Sequence, residues 1–161
     1  MGKKAASPVP PGYHTVTPYL IVPDGAAALD FYGKAFGAVE RGRLCGPDGT
    51  TVMHAEMKIG DSVVMLTSEH PAYGSLSPLA LKGTPVSIHL YVPEADVAWN
   101  RALEAGCSIR MPLADTFWGD RYGKLIDPFG HEWAVASRVE ELSPAEIEAR
   151  GRAAMAPPPA P

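Results

Sequence analysis

The chain has 161 residues, 46% of them hydrophobic and 20% charged, with 14 Lys plus Arg against 18 Asp plus Glu and a formal net charge of −4. A chain of this size buries roughly 70% of its unfolded surface, so a core forms without disulfide or metal staples. The mild acidity excludes a nucleic-acid partner, because phosphate-backbone binding needs a basic excess. No apolar run approaches the roughly 20 residues of a membrane helix, so no membrane partner is expected. Lys3 and Lys4 are followed by prolines and not by an apolar stretch, so the start does not read as a secretory signal. Cys45 and Cys107 stand apart with no CxxC, which suits a reducing compartment, and a cytoplasmic location is expected.

Prolines 8, 10 and 11 mark residues 1–13 as a flexible tail, and prolines 157–159 and 161 do the same for 156–161. Between them the chain repeats itself weakly. Tyr19-Leu20-Ile21-Val22-Pro23-Asp24 has a counterpart in His89-Leu90-Tyr91-Val92-Pro93-Glu94, and an alanine-rich segment ending at Gly37 has one ending at Gly106. In each copy a strand is stopped by Val-Pro-acid, and the acid is suited to cap the helix that follows. Ala28, Leu29, Phe31, Tyr32, Ala35 and Phe36 have helical spacing, as do Ala98, Trp99, Ala102, Leu103 and Ala105. Both helices end at a glycine suited to the left-handed position. Three short strands follow each helix, separated by turns at Pro47-Asp48-Gly49, Gly60-Asp61, Trp118-Gly119-Asp120 and Asp127-Pro128-Phe129-Gly130. The prediction is α+β, with a first βαβββ module over 14–70, a linker over 71–85, and a second module over 86–138. A C-terminal helix over 139–155 opens with the capping box Ser143-Pro144-Ala145-Glu146, and its thin apolar face is expected to pack on a neighbour or on nothing.

Val-Pro-Asp with Asp30-Phe31-Tyr32 and Phe36-Gly37, then His54-Ala55-Glu56-Met57-Lys58-Ile59-Gly60-Asp61, then Phe117-Trp118-Gly119-Asp120-Arg121-Tyr122-Gly123, and finally Asp127-Pro128-Phe129-Gly130-His131-Glu132-Trp133 form a specific combination. Together they resemble the vicinal oxygen chelate superfamily of glyoxalase I, extradiol dioxygenases, and fosfomycin and bleomycin resistance proteins, with wording most similar to its PhnB-like branch. The likeness spans about Thr17 to Ser137. It implies curved sheets around a cavity, helices on the outside, and a homodimer. Metal-using members carry ligands on the first and last strands of each module. Those positions fall here on Thr17, Met65, Ser87 and Ala134. None is His, Glu or Asp, so neither a metal nor another cofactor is expected.

Side chains alternate along strands, so the remaining cavity wall follows by parity. Tyr19 shares a face with Thr17, Thr67 with Met65, His89 with Ser87, and Glu132 with Ala134. Ala55, Met57 and Ile59 suit the helix side, leaving His54 and Glu56 on the cavity side. Leu125 likewise leaves Lys124, Tyr122 and Trp118 facing inward. His54 with Glu56 reads as an acid/base pair, a displaced metal site or a structural pair. Trp118 and Tyr122 read as a ligand platform or as a plug of the strand-pair turn. Arg121 with Asp120 is expected to be a structural ion pair, His14 and His70 exposed loop residues, and both cysteines small apolar fillers.

Two functional classes follow. One is a metal-independent small-molecule binder of the glyoxalase/bleomycin resistance type, sequestering a planar or aromatic compound such as an antibiotic on Tyr19, His54, Glu56, Met65, Ser87, His89, Trp118, Tyr122 and Lys124. The other is a lyase, isomerase or dioxygenase-like enzyme using His54, Glu56 or Lys124 for proton transfer, or a displaced metal site.

Overall fold

The computed structural model describes residues 2–156. The chain divides into two units at Gly83/Thr84. In the first, β1 (Tyr19–Val22) leads into α1 (Gly25–Phe36), followed by β2 (Val39–Cys45), β3 (Val52–Ile59) and β4 (Ser62–Ser68). A single 3-10 turn at Pro71–Tyr73 and the four-residue α2 (Pro78–Leu81) make up the connection. The second unit repeats the order with β5 (Ser87–Tyr91), α3 (Ala95–Ala105), β6 (Ser108–Asp115), β7 (Asp120–Ile126) and β8 (Glu132–Arg138), then adds α4 (Pro144–Ala154). Each unit holds one four-stranded mixed sheet, ordered β1-β4-β3-β2 and β5-β8-β7-β6. In each, the first strand runs parallel to the last and the other pairs are antiparallel. No helix among the described residues is long and apolar enough to cross a membrane.

One face of each sheet is covered by its helix. Ala28, Leu29, Phe31, Tyr32, Ala35 and Phe36 on α1 are buried, with Leu20, Val22, Ala55, Met57, Val64 and Leu66 among the buried strand residues. Alternation leaves His54, Glu56 and Lys58 on the opposite, open face of β3. In the second unit Trp99, Trp133, Leu125 and Val135 are buried, and Trp133 donates its indole N–H to Asp127 at 2.8 Å. Gly123 makes room for this arrangement: a Cβ there would lie 2.6 Å from the Trp99 ring and 2.9 Å from the Leu113 Cα.

Several expectations need correction. Asp24 caps α1 by accepting from the Ala26 and Ala27 amides, but the Glu94 side chain makes no such bond to α3. Arg121 does not pair with Asp120. It binds Asp96 of α3 and Asp115, because adjacent residues of a strand point to opposite faces and Arg121 lies on the helix side. His70 is half-buried, and its Nε2 is enclosed without a hydrogen-bond partner. The helix α4 does pack within its own unit: Gly151 is buried and lies so close to Phe117 that a Cβ there would meet the ring at 3.0 Å. Arg150 fastens the same helix to Glu140 at 2.6 Å. Beyond Ala156, the C-terminal tail read from the sequence lies outside the described residues.

Candidate functional site

On the open face of the first sheet, register aligns Tyr19 with Met65 and Met65 with Glu56. The Tyr19 hydroxyl and Nδ1 of His54 are hydrogen-bonded at 3.2 Å, and Nε2 of His54 lies 3.6 Å from a Glu56 oxygen. Tyr13 donates a hydrogen bond to Glu56, the largest influence holding that carboxylate below the usual glutamate range, with His54 and Arg41 acting in the same direction. The guanidinium of Arg41 sits 5.3 Å above the Tyr13 ring and 3.8 Å from the other Glu56 oxygen. The sequence brought out His54, Glu56 and Tyr19 by parity. Tyr13 precedes β1 and Arg41 is on β2, so no strand periodicity pointed to Tyr13.

The corresponding face of the second sheet is richer in rings. His89 lies 4.5 Å from Tyr91 and 5.6 Å from Tyr122 between ring centroids, and Tyr122 meets Trp118 edge-on at 5.4 Å. Beneath these rings the register places Ala134 between His89 and Lys124, and Ala136 between Tyr91 and Tyr122. Both alanines are buried, which fits a small-residue floor under large flanking side chains. Lys124 binds Glu132 at 2.8 Å, and this contact dominates the lowering of the Glu132 carboxyl, with the Ser87 hydroxyl and Arg110 adding to it. The same bond raises Lys124 above its ordinary value.

On this sheet the sequence reading missed Tyr91 and Asp120. The hydroxyl of Tyr91 donates to Oδ2 of Asp120 at 2.8 Å, and the indole N–H of Trp118 donates to the same oxygen at 3.2 Å. Asp120 is only 5% exposed. Both residues were within reach of the alternation rule, two positions from His89 and from Tyr122. With Arg138, Leu142 and Ile147 they line an open pocket of about 520 Å³. A pocket of about 390 Å³ at the start of α1 is of a different kind. There Asp24 caps the helix, Ser68 accepts from the Gly25 amide, and Glu69 accepts from the Ser77 amide.

The four positions that the resemblance assigns to metal ligands do not supply a donor set. Thr17 precedes β1 and gives its hydroxyl proton to the His14 carbonyl. Met65 offers a thioether, the Ser87 hydroxyl is engaged by Glu132, and Ala134 has no donor atom. Glu132 itself is bound to an ammonium. Within either unit, no three His, Cys, Asp or Glu side chains among the described residues come together to hold an ion. These residues do not fit Zn, Ni or Fe(II).

The sequence model of the Glyoxalase/Bleomycin resistance protein/Dioxygenase superfamily matches residues 13–135. An uncharacterised protein of Mycobacterium bovis is 47% identical over 137 residues, covering 83% of this chain and 90% of its own. The crystal structure of TioX from Micromonospora sp. ML1 is similar at 27% identity and a TM-score of 0.61, over 75% of this chain and 95% of that one. A bleomycin-binding protein crystallised with bleomycin shares the fold at 21% identity and a TM-score of 0.55, over 80% of this chain and 99% of its own.

Proposed function

The chain belongs to the glyoxalase/bleomycin resistance protein/dioxygenase superfamily, and from that premise we propose that it is a metal-independent binding protein which sequesters a planar or aromatic small molecule, such as an antibiotic, without turnover. The observation that carries this reading is the run Tyr91, His89, Tyr122 and Trp118, each ring in contact with the next, over the buried Ala134 and Ala136. Rings held against one another present stiff apolar surface that loses little entropy when a flat ligand covers it. The ammonium of Lys124, on the same sheet as these rings, supplies a polar group of the kind that orients a ligand, and the Tyr19, His54 and Glu56 cluster supplies such groups on the first sheet by itself. That the same fold holds bleomycin in another protein supports a binding role by analogy.

The chemistry of Thr17, Met65, Ser87 and Ala134, with no His, Asp or Glu among them, supports metal independence. The free thiols of Cys45 and Cys107 support a cytoplasmic setting. The exposed edge strands β2 and β6 support a homodimer, since open edges are normally covered or paired. Elemental analysis and light scattering of the purified protein check metal independence and the homodimer: a stoichiometric divalent ion or a purely monomeric mass overturns the corresponding one.

The central experiment titrates planar aromatic compounds while following tryptophan emission. Trp118→Ala is expected to weaken binding by about 2 kcal/mol, roughly thirtyfold in Kd. Trp99→Phe and Trp133→Phe, on the helix-covered side, leave affinity unchanged. If Trp118→Phe lowers the melting temperature but alters affinity for no compound, Trp118 is a structural plug. Chemical conversion of a bound compound would replace the binder with an enzyme.

A further inference from the structure

The pocket of about 520 Å³ beside α4 carries a pair of charges that the fold leaves unjoined. Asp120 and Arg138 are direct cross-strand partners on β7 and β8. Opposite charges so placed ordinarily pair. Here Arg138 reaches instead to Glu141 at 3.6 Å, an exposed partner in water. Asp120 takes both of its side-chain hydrogen bonds, from Tyr91 and Trp118, on Oδ2. Its Oδ1 has no hydrogen-bond partner among the described residues and is not enclosed, although the residue as a whole is 5% exposed. A carboxylate oxygen left open in this way is available to a donor that enters the pocket.

The rest of the pocket is apolar and aromatic. Trp118 and Tyr91 form one wall, and Leu142 and Ile147 the other. The second wall belongs to the segment after β8, beyond the residues 13–135 that match the family. It is firmly built. The Ser143–Glu146 capping box starts α4, Gly151 seats it against Phe117, and the carbonyl of Gly119 accepts from the Val139 and Glu140 amides. Gly119 has φ 95° and its Cβ would meet the Glu140 carbonyl at 2.9 Å, so the wall comes this near only over glycine. The volume lies within the usual range for small-ligand sites.

We propose that this pocket binds a small zwitterion with an aromatic or apolar side chain, its ammonium on Asp120, its carboxylate on Arg138, and its side chain between Trp118 and Ile147. The proposal rests on the reading of the Trp118 face as ligand-binding and names the ligand class for it. A zwitterion joins the two charges that the strands leave apart, and its side chain covers the apolar walls. A simple aromatic acid or amine satisfies only one of the two charges.

The test titrates the full-length protein with L-phenylalanine, phenethylamine and 3-phenylpropionate, following tryptophan emission and heat. L-Phenylalanine should saturate, with each single-charge analogue weaker by about tenfold or more. Arg138→Gln should remove the preference for L-phenylalanine over phenethylamine without changing the melting temperature. Ile147→Asp should weaken L-phenylalanine by about tenfold or more through the loss of the apolar wall. Asp120→Asn also loosens Tyr91 and Trp118, so Arg138→Gln decides. Equal affinity for the three probes, no saturation by L-phenylalanine, or indifference to Arg138→Gln overturns the zwitterion while planar compounds still quench Trp118. If planar compounds fail to perturb Trp118 as well, the binding reading falls with it.

Discussion

The two units share an element order and a strand register but fill them differently. Leu20, Leu66 and Ala55 form one cross-strand row of the first sheet, and Leu90, Val135 and Gly123 the matching row of the second. The second helix sets Trp99 against Gly123 of this row, at the repeat position that Leu29 holds in the first helix. A larger helix residue thus goes with a smaller strand residue, so the repeat conserves volume and not residue type. On the open face the next row reads Tyr19, Met65, Glu56 in the first unit and His89, Ala134, Lys124 in the second. The charge is reversed from acid to base. One architecture therefore presents a cluster of Tyr19, His54 and Glu56 in one copy and a run of rings beside Lys124 in the other.

The largest expected effect breaks the volume exchange. Gly123→Ala pushes a methyl against Trp99 and the Leu113 backbone and is expected to cost about 1–3 kcal/mol in denaturant unfolding. Ala55→Gly, the mirror change, should cost about 1 kcal/mol. The double variant Gly123→Ala with Trp99→Leu recreates the first unit's pair. It should be less destabilised than the sum of the single changes by at least about 0.5 kcal/mol. Strict additivity would mean that the two sites do not exchange volume.

A smaller difference separates the helix starts. Asp24→Ala removes a cap and should lower stability by about 1 kcal/mol. Glu94→Ala removes no cap and should stay within about 0.5 kcal/mol. The extra methylene of glutamate is the only chemical difference between the two acids, so Glu94→Asp tests whether a shorter side chain completes the second cap.

The acid dependence sharpens the comparison of the open faces. Glu56 is held low mainly by Tyr13, and Glu132 mainly by Lys124. In both cases the unfolded chain takes up the proton first as pH falls. The stabilisation is complete above the ordinary glutamate range and is lost as pH drops through the lower folded values. Glu56→Gln and Glu132→Gln should each flatten the acid limb of a stability-against-pH curve, and the double variant should flatten it further. An unchanged slope would show that these bonds do no more than hold position.

The smallest effect is chemical and leaves stability aside. Burial pushes the Cys107 thiol up to about 12, whereas Cys45 is half-exposed. A thiol reagent at neutral pH should modify one cysteine in the native protein and both after denaturation.

Alternation and helical spacing are local properties of a chain, and everything that depends on them alone was legible in the sequence. The two βαβββ copies, the helix faces, the glycine ends and the open-face positions of Tyr19, His54, Glu56, His89, Tyr122 and Lys124 are of this kind. The pairing of long polar side chains is not. Arg121 had three acids within six residues of it, Asp115, Asp120 and Asp127, and binds Asp115 together with Asp96 on the helix. The open oxygen of Asp120, the bond from Tyr13 to Glu56 and the seating of α4 on Phe117 likewise depend on which segments strand order brings together. Periodicity decides to which side of a sheet a side chain points. Which partner it finds there is decided by packing between elements far apart in the chain, where a long side chain's reach spans several competing donors and acceptors.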